Sequence, residues 1–412
     1  MNPSEINLLD KDRFAQGTPH EWFTWLRANE PIWRHPEPDG PGFWVLSKHV
    51  HITELGRNPR VFSSDDLYGG PTGLTVADRK RMNDAAKGAR SLPHMDPPDH
   101  TQYRLIVERR FRNRPINELA DRIRELTAEL LDATVERGVC DVVHDVASVV
   151  PIIVICEMLG LPPDDRDKVI AIAKADFGVD DPDILADKDA YVAAREGTQS
   201  YAHKLMMQRR ADPGSDLMTV LVEAKVDGRP LNDQEIALFF ELFIDAGHET
   251  VLTALSQTVQ AFVENPAQLR RLAANPKLAE SATEEALRWA TPVMYFRRAV
   301  TEDVDFHGFR FKEGESVTMW YISGNRDEEV FADPFHFDIG RTPNNHLTFG
   351  GGGPHFCLGA RLARLEVRIF LEELAKRVDV VEAAGDPAPL RSNLFHAFKR
   401  LPVRFVPSLV TS

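Results

Sequence analysis

The sequence predicts a mainly α-helical protein with a small β-sheet, an α+β fold. Segments with the 3.6-residue apolar spacing of helices dominate the chain, and stretches typical of strands are few and short. Prolines cluster at turns rather than at a domain junction, so we expect residues 1–412 to form a single domain.

The predicted elements run the length of the chain. Helical spacing covers 115–137, 151–160, 183–211, 216–226, 232–265, 267–273, 276–290 and 358–376. Strand-like stretches cover Ile32–His35, Gly42–Leu46, Tyr295–Arg298, Val304–Phe306 and Ser316–Tyr321. The strands near residues 40 and 320 are expected to share one sheet and so to tie the two ends of the chain together.

Charge and cysteine content limit the class of protein. The net charge of −14 argues against a nucleic-acid partner. The N-terminus lacks the order of a secretory signal, and no uncharged apolar run reaches about 18 residues, so we expect no membrane anchor. Three cysteines fit a reducing, cytoplasmic compartment. Cys140 and Cys156 lie among apolar residues and are interpreted as small buried side chains.

The longest predicted helix begins at Asn232, whose side chain can cap it while Glu235 reaches back. It extends to Glu264, a length of about 50 Å at 1.5 Å per residue. Phe239 and Phe243 belong to a crowded apolar run, which indicates that the middle of this helix is buried.

A polar motif, Ala246–Thr250, interrupts this helix. Glycine disfavours a helix interior, and the Thr250 hydroxyl can bond to the Ala246 carbonyl, so we expect a local kink or widening. Glu249 beside a hydroxyl can hold water and relay protons. His248 is either a spacer or a pH-sensitive part of that relay.

The strongest motif is the segment 349–359, FGGGGPHFCLG, called here the cysteine loop. Its four glycines let the backbone approach a flat object closely. Cys357 precedes an amphipathic helix whose free amides and dipole stabilise a thiolate. Such a sulfur suits the fifth ligand of a haem iron. A phosphate loop would need a Gly-Lys-Ser/Thr ending, and a zinc site would need partner cysteines.

The cysteine loop resembles that of the cytochrome P-450 superfamily, and further motifs in the same order extend the resemblance from about Ile32 to Phe405. The family loop usually has one residue fewer between its phenylalanine and cysteine. The longer form is similar to that of a bacterial subgroup acting on sterol side chains, branched lipids and terpenoids. The resemblance implies a monooxygenase with haem b bound between the long helix and the cysteine loop, and Cys357 on the iron.

The resemblance also assigns roles to individual residues. Glu249 and Thr250 are implied to be catalytic, because they deliver protons during dioxygen activation. His100 and Arg104 lie at i and i+4 of a helix expected after Pro97-Pro98, so both can meet one carboxylate. The residues implied to contact haem or its propionates are His100, Arg104, Ala246, Arg298 (with Arg297 as the alternative), Phe349, His355, Cys357 and Gly359.

Two further motifs are implied to be structural. Glu285 and Arg288 share one helix face and can form an ion pair. The resemblance implies that this pair locks the fold beneath the haem. It implies the same structural role for the segment from Asn325 to Arg341.

The substrate pocket is expected to be apolar, which predicts an apolar substrate. Its expected lining is Phe239, Phe243, Ala246, Val293 and Met294, with loops around 65–95 and 175–195. The resemblance suggests a steroid, branched lipid or terpenoid. Hydroxylation or demethylation of an aromatic compound is the alternative, and a non-catalytic haem-thiolate sensor or a peroxide-driven enzyme are rivals of other kinds.

Arginines near the expected haem site predict a docking surface for an acidic redox partner. The basic patch is defined as Arg104, Arg109, Arg110, Arg112, Arg361 and Arg364; the alternative is a solvated arginine-rich helix. The chain has no recognisable flavin- or nicotinamide-binding segment, so we expect a ferredoxin and a ferredoxin reductase to supply electrons to a monomer.

Overall fold

The computed structural model describes residues 3–38, 40–65, 70–80, 91–165, 181–184 and 188–408. Helices make up most of this part of the chain. The α-helices are α1 Lys11–Phe14, α2 His20–Asn29, α3 His49–Gly56, α4 Asp99–Glu108, α5 Asn113–Asn117, α6 Ala120–Arg137, α7 Val149–Leu159, α8 Lys188–Ala211, α9 Leu217–Glu223, α10 Asp233–Glu264, α11 Pro266–Ala274, α12 Ala279–Ala290, α13 Tyr321–Gly324 and α14 Ala360–Arg377.

Short helical turns and strands complete the fold. A π-helix, Val142–Ala147, precedes α7, and 3-10 turns lie at Pro3–Glu5, Leu92–His94, Arg109–Phe111, Pro163–Asp165 and Pro276–Leu278. The strands are β1 Ile32–His35, β2 Phe43–Leu46, β3 Phe62–Ser63, β4 Val139–Asp141, β5 Lys225–Val226, β6 Arg229–Pro230, β7 Tyr295–Val300, β8 Val304–Phe306, β9 Phe309–Phe311, β10 Ser316–Trp320, β11 Val378–Ala383, β12 Ala388–Pro389, β13 Phe398–Arg400 and β14 Pro402–Pro407.

The largest sheet joins the two ends of the chain, as the sequence predicts. Its strand order is β1-β2-β10-β7-β3. β2 runs parallel to β10, with Ser316 opposite Phe43, and the other neighbours are antiparallel. A second sheet has the order β11-β14-β4, and the pairs β5-β6, β8-β9 and β12-β13 are hairpins or short ribbons.

Most predicted helices are present, with changes at their ends. The predicted helix 115–137 is two helices, α5 and α6, and the predicted helix 276–290 begins with a 3-10 turn before α12. α8 begins at Lys188 rather than at residue 183, and residues 185–187 lie outside the described part of the chain.

Helix α10 is the axis of the molecule. The Asn232 Oδ1 accepts the Glu235 amide at 2.9 Å, and the Glu235 carboxylate accepts the Asn232 amide at 2.8 Å, so the predicted capping box is confirmed. The helix packs against α7, α8, α12 and α14. Its core is accordingly buried from Ile236 to Phe262, apart from a short stretch near its middle.

The apolar segment Val142–Leu159, which packs against α10, is also buried. Among the described residues, one helical stretch, Val142–Leu159, has the length and composition of a membrane-crossing segment, and 67% of it is buried within the fold. Cys156 within it is fully buried, and Cys140 is 5% exposed, as predicted for small apolar side chains. Contact with α10 accounts for the apolar composition of this segment.

Candidate active site

The cysteine loop is a tight turn that ends where α14 begins. The Cys357 amide donates to the Phe349 carbonyl at 3.0 Å and closes the loop. Gly350, Gly352 and Gly353 have φ of +91°, +99° and +82°, a region in which most side chains are strained. The loop thus places Cys357 just before the first turn of α14.

Two of the loop glycines pack against helix α3. A Cβ on Gly351 would lie 2.8 Å from the Thr53 Cα, and a Cβ on Gly353 would overlap the Gly56 carbonyl. We expected these glycines to let the loop approach a flat group. At Gly351 and Gly353 the backbone that lies close is instead that of α3 and the residue after it. No feature of residues 49–56 in the sequence signals this contact.

The environment of Cys357 acts on its thiol in opposite directions. Its side chain is accessible, yet burial among the surrounding protein raises the pKa of its thiol. The amides of Gly359 and Ala360 donate to the sulfur, and Arg104 and Arg364 favour its negative charge, but burial outweighs them. The predicted thiolate stabilisation is thus only partial in the protein alone. A metal ion on the sulfur would complete it, because a coordinating thiol loses its proton.

Four basic side chains, called here the basic cluster, converge near Cys357: His100, Arg104, Arg298 and His355. The rings of the two histidines lie 4.3 Å apart between centroids. Burial lowers the pKa of His100 to about 4 and that of His355 to about 2, and both arginines add to these shifts. The charged groups acting on the two rings are all basic.

The basic cluster fits an anionic group. Within the described part of the chain, His100 Nδ1 and His355 Nε2 are buried without a hydrogen-bond partner. Leaving such atoms unpaired is costly, and crowding them with cations adds repulsion. Two carboxylates beside Cys357 would give the unpaired nitrogens hydrogen-bond partners and would offset the repulsion between the cations. The two propionates of haem b are such a pair of carboxylates.

The structure separates the roles of Arg297 and Arg298, which point to opposite faces of β7. The Arg297 side chain donates to the Gly70 carbonyl at 2.8 Å and to the Ser316 hydroxyl at 2.9 Å. Arg298 is buried and acts electrostatically on His100 and His355. Of the two candidates, Arg298 is therefore the one that belongs to the basic cluster.

The polar motif of α10 borders open space. Ala246 is exposed and Thr250 half-buried in the middle of an otherwise buried helix. The Thr250 hydroxyl donates to the Ala246 carbonyl at 2.8 Å, as predicted. The helix is continuous through the motif, and the expected local kink or widening stays a prediction. Packing against α7 favours glycine at position 247, because a Cβ there would lie 3.2 Å from the Ile155 side chain.

Glu249 and His248 are both buried on α10. His248 is fully buried, with its Nε2 3.1 Å from the Ser148 carbonyl oxygen. Its Nδ1 lies 3.1 Å from Glu249 Oε1. Glu249 thus has a titratable neighbour on one side and Thr250 next to it along the helix.

Only part of the predicted pocket lining faces the open space. Phe239 and Phe243 share a helix face with Ala246 and are buried against the rings of Tyr103 and Phe111, and their place in the pocket lining stays a prediction. Tyr103 belongs to α4 and Phe111 to the 3-10 turn after it.

The segment after α12 holds the other two residues of the predicted pocket lining. Met294 is 1% exposed and packs in the core with Trp320, whereas Val293 is half-buried. A β-bridge places Phe395 beside Val293, a neighbour that the sequence does not signal. Of the predicted loops, residues 66–69, 81–90, 175–180 and 185–187 lie outside the described part of the chain.

Glu285 and Arg288 form a buried structural centre, as the sequence predicts. The Arg288 guanidinium makes two 2.8 Å hydrogen bonds to the Glu285 carboxylate and donates to the Asn325 and Pro334 carbonyls. The Arg341 Nε also donates to Glu285. The pair therefore ties α12 to the segment that leads into the cysteine loop.

The structure brings the two arginine groups together. Arg361 of α14 donates to Asn113, the residue after Arg112, and the side chains of Arg109, Arg112 and Arg361 are exposed. Arg104 and Arg364 are half-buried and act on the Cys357 thiol instead. Arg364 is also paired with Glu284 at 2.7 Å. The exposed part of the basic patch is thus smaller than the sequence suggests.

Comparison with known proteins agrees with this geometry. The cytochrome P450 family model matches residues 184–402. The chain is 37% identical to a methyl-branched lipid omega-hydroxylase of Mycobacterium tuberculosis, over 92% of the chain and 90% of that protein. It is 34% identical to a steroid C26-monooxygenase of Rhodococcus jostii, over 98% and 85%. A linalool 8-monooxygenase of Pseudomonas putida is 33% identical, over 97% and 99%.

A solved structure extends the similarity to the fold. A cytochrome P450 of Mycobacterium marinum in complex with pseudoionone superposes with a TM-score of 0.88 at 34% identity. The alignment covers 95% of this chain and 97% of that one.

Proposed function

Because the chain belongs to the cytochrome P450 family of haem-dependent monooxygenases, we propose that it hydroxylates a steroid, a branched lipid or a terpenoid. The enzyme class and the haem b cofactor follow from membership of the family. The observation that carries the proposal is the placement of Cys357 beside four converging basic side chains. A thiolate ligand and a double anion site together are the chemistry that haem b needs.

We propose a distinct role for each part of the site. Cys357 ligates the iron, and the Gly359 and Ala360 amides bear part of its charge. His100, Arg104, Arg298 and His355 bind the two propionates. When bound, the haem supplies the activation of dioxygen and the insertion of one oxygen atom into a C–H bond.

Glu249 and Thr250 carry the protons that this reaction consumes. Because the Thr250 hydroxyl donates to the Ala246 carbonyl, the lone pairs of the Thr250 oxygen are available to accept a hydrogen bond and so to position a water for proton delivery. The small side chain of Ala246 leaves room for dioxygen and substrate next to that oxygen. Haem contacts by Phe349 and Gly359 belong to the same proposal.

The ligand assignment is tested by the carbon monoxide difference spectrum of the reduced protein. We expect a Soret band shifted far to the red, which requires thiolate opposite carbon monoxide. Cys357→Ser should abolish this band, whereas Cys140→Ala, at a buried cysteine outside the site, should keep it. Loss of the band in both variants, or its survival in Cys357→Ser, would contradict the assignment.

The proton relay is tested by the coupling of reductant use to product. Thr250→Ala should release peroxide and lower the product formed per reductant consumed about tenfold. Thr258→Ala is the matched control, because the Thr258 hydroxyl makes the same bond to Ala254 at 2.6 Å further along α10. Equal coupling in both variants would remove Thr250 from the relay.

The substrate class is supported by the activities that the relatives are named for and by the apolar side chains near Ala246. Val293 and Phe395 are brought together by their bridge and are half-buried, and we propose that they contribute to the pocket lining. A binding screen of steroids, branched fatty acids, terpenoids and aromatic compounds tests it, followed by turnover with reductase partners. Turnover of aromatics alone would favour the alternative substrate. Binding without turnover would indicate a sensor, and turnover only with peroxide a peroxide-driven enzyme.

The enzyme requires a redox partner, and we propose that a ferredoxin docks at the exposed part of the basic patch. Arg109, Arg112 and Arg361 lie on the Cys357 side of the molecule, where electron transfer has the shortest path. Arg112→Glu should raise the KM for ferredoxin about tenfold at low salt. Arg60→Glu, an exposed arginine at the start of the segment leading into β3, should leave it unchanged.

We infer a cytoplasmic monomer. The three cysteines are free, which fits a reducing compartment. Sedimentation of the purified protein tests the oligomeric state, and a concentration-dependent dimer would contradict it.

A further inference from the structure

His248 is held by a bond that fixes which of its nitrogens carries a proton. Its Nε2 lies 3.1 Å from the Ser148 carbonyl oxygen, at the junction of the π-helix and α7. A carbonyl oxygen only accepts hydrogen bonds, so Nε2 must bear hydrogen. The other nitrogen, Nδ1, therefore carries either a lone pair or a second proton.

Glu249 faces that second nitrogen at close range. Its Oε1 lies 3.1 Å from Nδ1, although the two are not aligned as a hydrogen bond. The His248 side chain is completely buried and that of Glu249 is 7% exposed. A lone pair facing an ionised carboxylate at this distance, away from water, is unfavourable. One additional proton, on either partner, removes this repulsion and makes the contact between them attractive.

The neighbouring charged groups are engaged elsewhere. On the π-helix, Asp145 accepts the Asp141 amide, and the exposed His144 offers its carbonyl to the Ser148 hydroxyl. On α7, Glu157 pairs with Arg122.

We propose that His248 and Glu249 hold one proton in common and that His248, anchored on Ser148, is the positioning residue that keeps Glu249 loaded beside Thr250. This inference rests on the proposed relay through Glu249 and Thr250. When the relay draws a proton from the Glu249 carboxyl, the pair is left as a neutral imidazole beside a carboxylate. That state is the repulsive one, so the pair takes up a proton from solvent and is restored.

Two substitutions separate this role from a purely structural one. His248→Gln keeps a donor near the Nε2 position, within reach of the Ser148 carbonyl, but has no group at Nδ1. His248→Asn keeps a polar atom near Nδ1 and cannot reach Ser148. Neither amide can hold an extra proton. If the proton is shared, both variants should form about tenfold less product per reductant consumed. If His248 only anchors the helix on Ser148, His248→Gln should behave like the native enzyme.

A second measurement does not depend on turnover. In the reduced carbon monoxide form labelled with ¹⁵N-histidine, the His248 signals are assigned by their loss in His248→Gln. At neutral pH we expect an Nδ1 shift between those of a bare and a protonated nitrogen, moving to the bare value in Glu249→Gln. A bare Nδ1 in both proteins, or full coupling in His248→Gln, would overturn the proposal. An inactive native enzyme with the expected Nδ1 shift would instead count against the proposed function alone.

Discussion

Burial controls the protonation of Glu366 on α14. Its side chain is 3% exposed, and its Oε2 has no hydrogen-bond partner among the described residues. Burial raises the pKa of this carboxyl to about 8. The folded protein therefore keeps a proton on Glu366 at neutral pH, whereas the unfolded chain releases it above the ordinary value of 4.5.

The free energy of unfolding should accordingly depend on Glu366 between pH 4.5 and 8. The contribution of its proton is fully present below pH 4.5 and is lost as the pH rises to about 8. Glu366→Gln should escape this loss and be more stable than the native protein at pH 7 by about 2–3 kcal/mol. Urea unfolding at pH 4.5 and pH 7 measures the difference, with the exposed Glu382→Gln as control. A glutamine variant that is less stable at pH 7 would refute the argument.

His35 provides an opposite pH dependence. Its Nε2 accepts the Leu8 amide at 2.9 Å and its Nδ1 donates to the Pro36 carbonyl, so the neutral ring is satisfied on both sides. Burial lowers its pKa from 6.5 to about 4. Because the unfolded chain then binds the proton first, the stabilisation is fully present above pH 6.5 and is lost as the pH falls toward 4.

Acidification from pH 7 to pH 5 should therefore cost the native protein about 2 kcal/mol more than it costs His35→Gln. Urea unfolding at the two pH values measures this difference between the proteins. His203→Gln, at an exposed histidine, should lose as much stability as the native protein. Equal losses in His35→Gln and the native protein would show that His35 does not contribute.

At the scale of the element, the cysteine loop depends on its contact with α3. Gly351 has no left-handed φ, so the obstacle to a side chain there is the backbone of α3, with the Thr53 Cα 2.8 Å and the Ile52 carbonyl oxygen 3.2 Å from the Cβ position. Backbone cannot move aside as a flexible side chain can. The position thus tests packing without backbone strain.

Gly351→Ala should destabilise the protein by about 1–3 kcal/mol, because the loop and α3 must move apart. Gly197→Ala is the matched control: nothing lies within 4 Å of its Cβ position in α8, so alanine should stabilise the helix by about 0.5–1 kcal/mol. Thermal unfolding followed by circular dichroism compares the two. A loss in Gly197→Ala as large as that in Gly351→Ala would show that the contact is not the cause.

At the scale of the whole molecule, Glu285 connects two distant parts of the chain. Its carboxylate is fully buried and accepts hydrogen bonds from Arg288, Arg341, Asn344 and the Asp338 amide. These bonds join α12 to the segment between α13 and the cysteine loop. The neighbouring Glu284 is partly exposed and pairs with Arg364 and His346.

Glu285→Gln should lower the free energy of unfolding by about 3–5 kcal/mol, because buried guanidinium groups lose their counter-charge. Glu284→Gln, one position away, should cost about 1 kcal/mol, as expected for a partly exposed pair. Urea unfolding of both variants gives the comparison. Equal losses would mean that burial of the Glu285 network does not set its contribution.

The features that the sequence predicts correctly are those with short-range causes. The capping box at Asn232, the Thr250 bond to Ala246 and the pair Glu285–Arg288 each join residues within four positions. The strands β1, β2, β7 and β10 follow from local residue type. The burial of Phe239, Phe243 and Met294 by other elements could not be predicted, because helical or strand spacing tells which residues share a face but not what covers that face.

The sequence by itself determined the helical fold class, the helix-capping signals and the Cys357 motif, because these depend on hydrogen bonds and periodicities that span few residues. Only the tertiary structure decided that Gly351 meets α3, that Arg298 rather than Arg297 joins the basic cluster and that His248 is anchored on Ser148. These contacts join residues far apart in the chain. Their formation depends on how whole helices pack, which the spacing within any one helix does not specify.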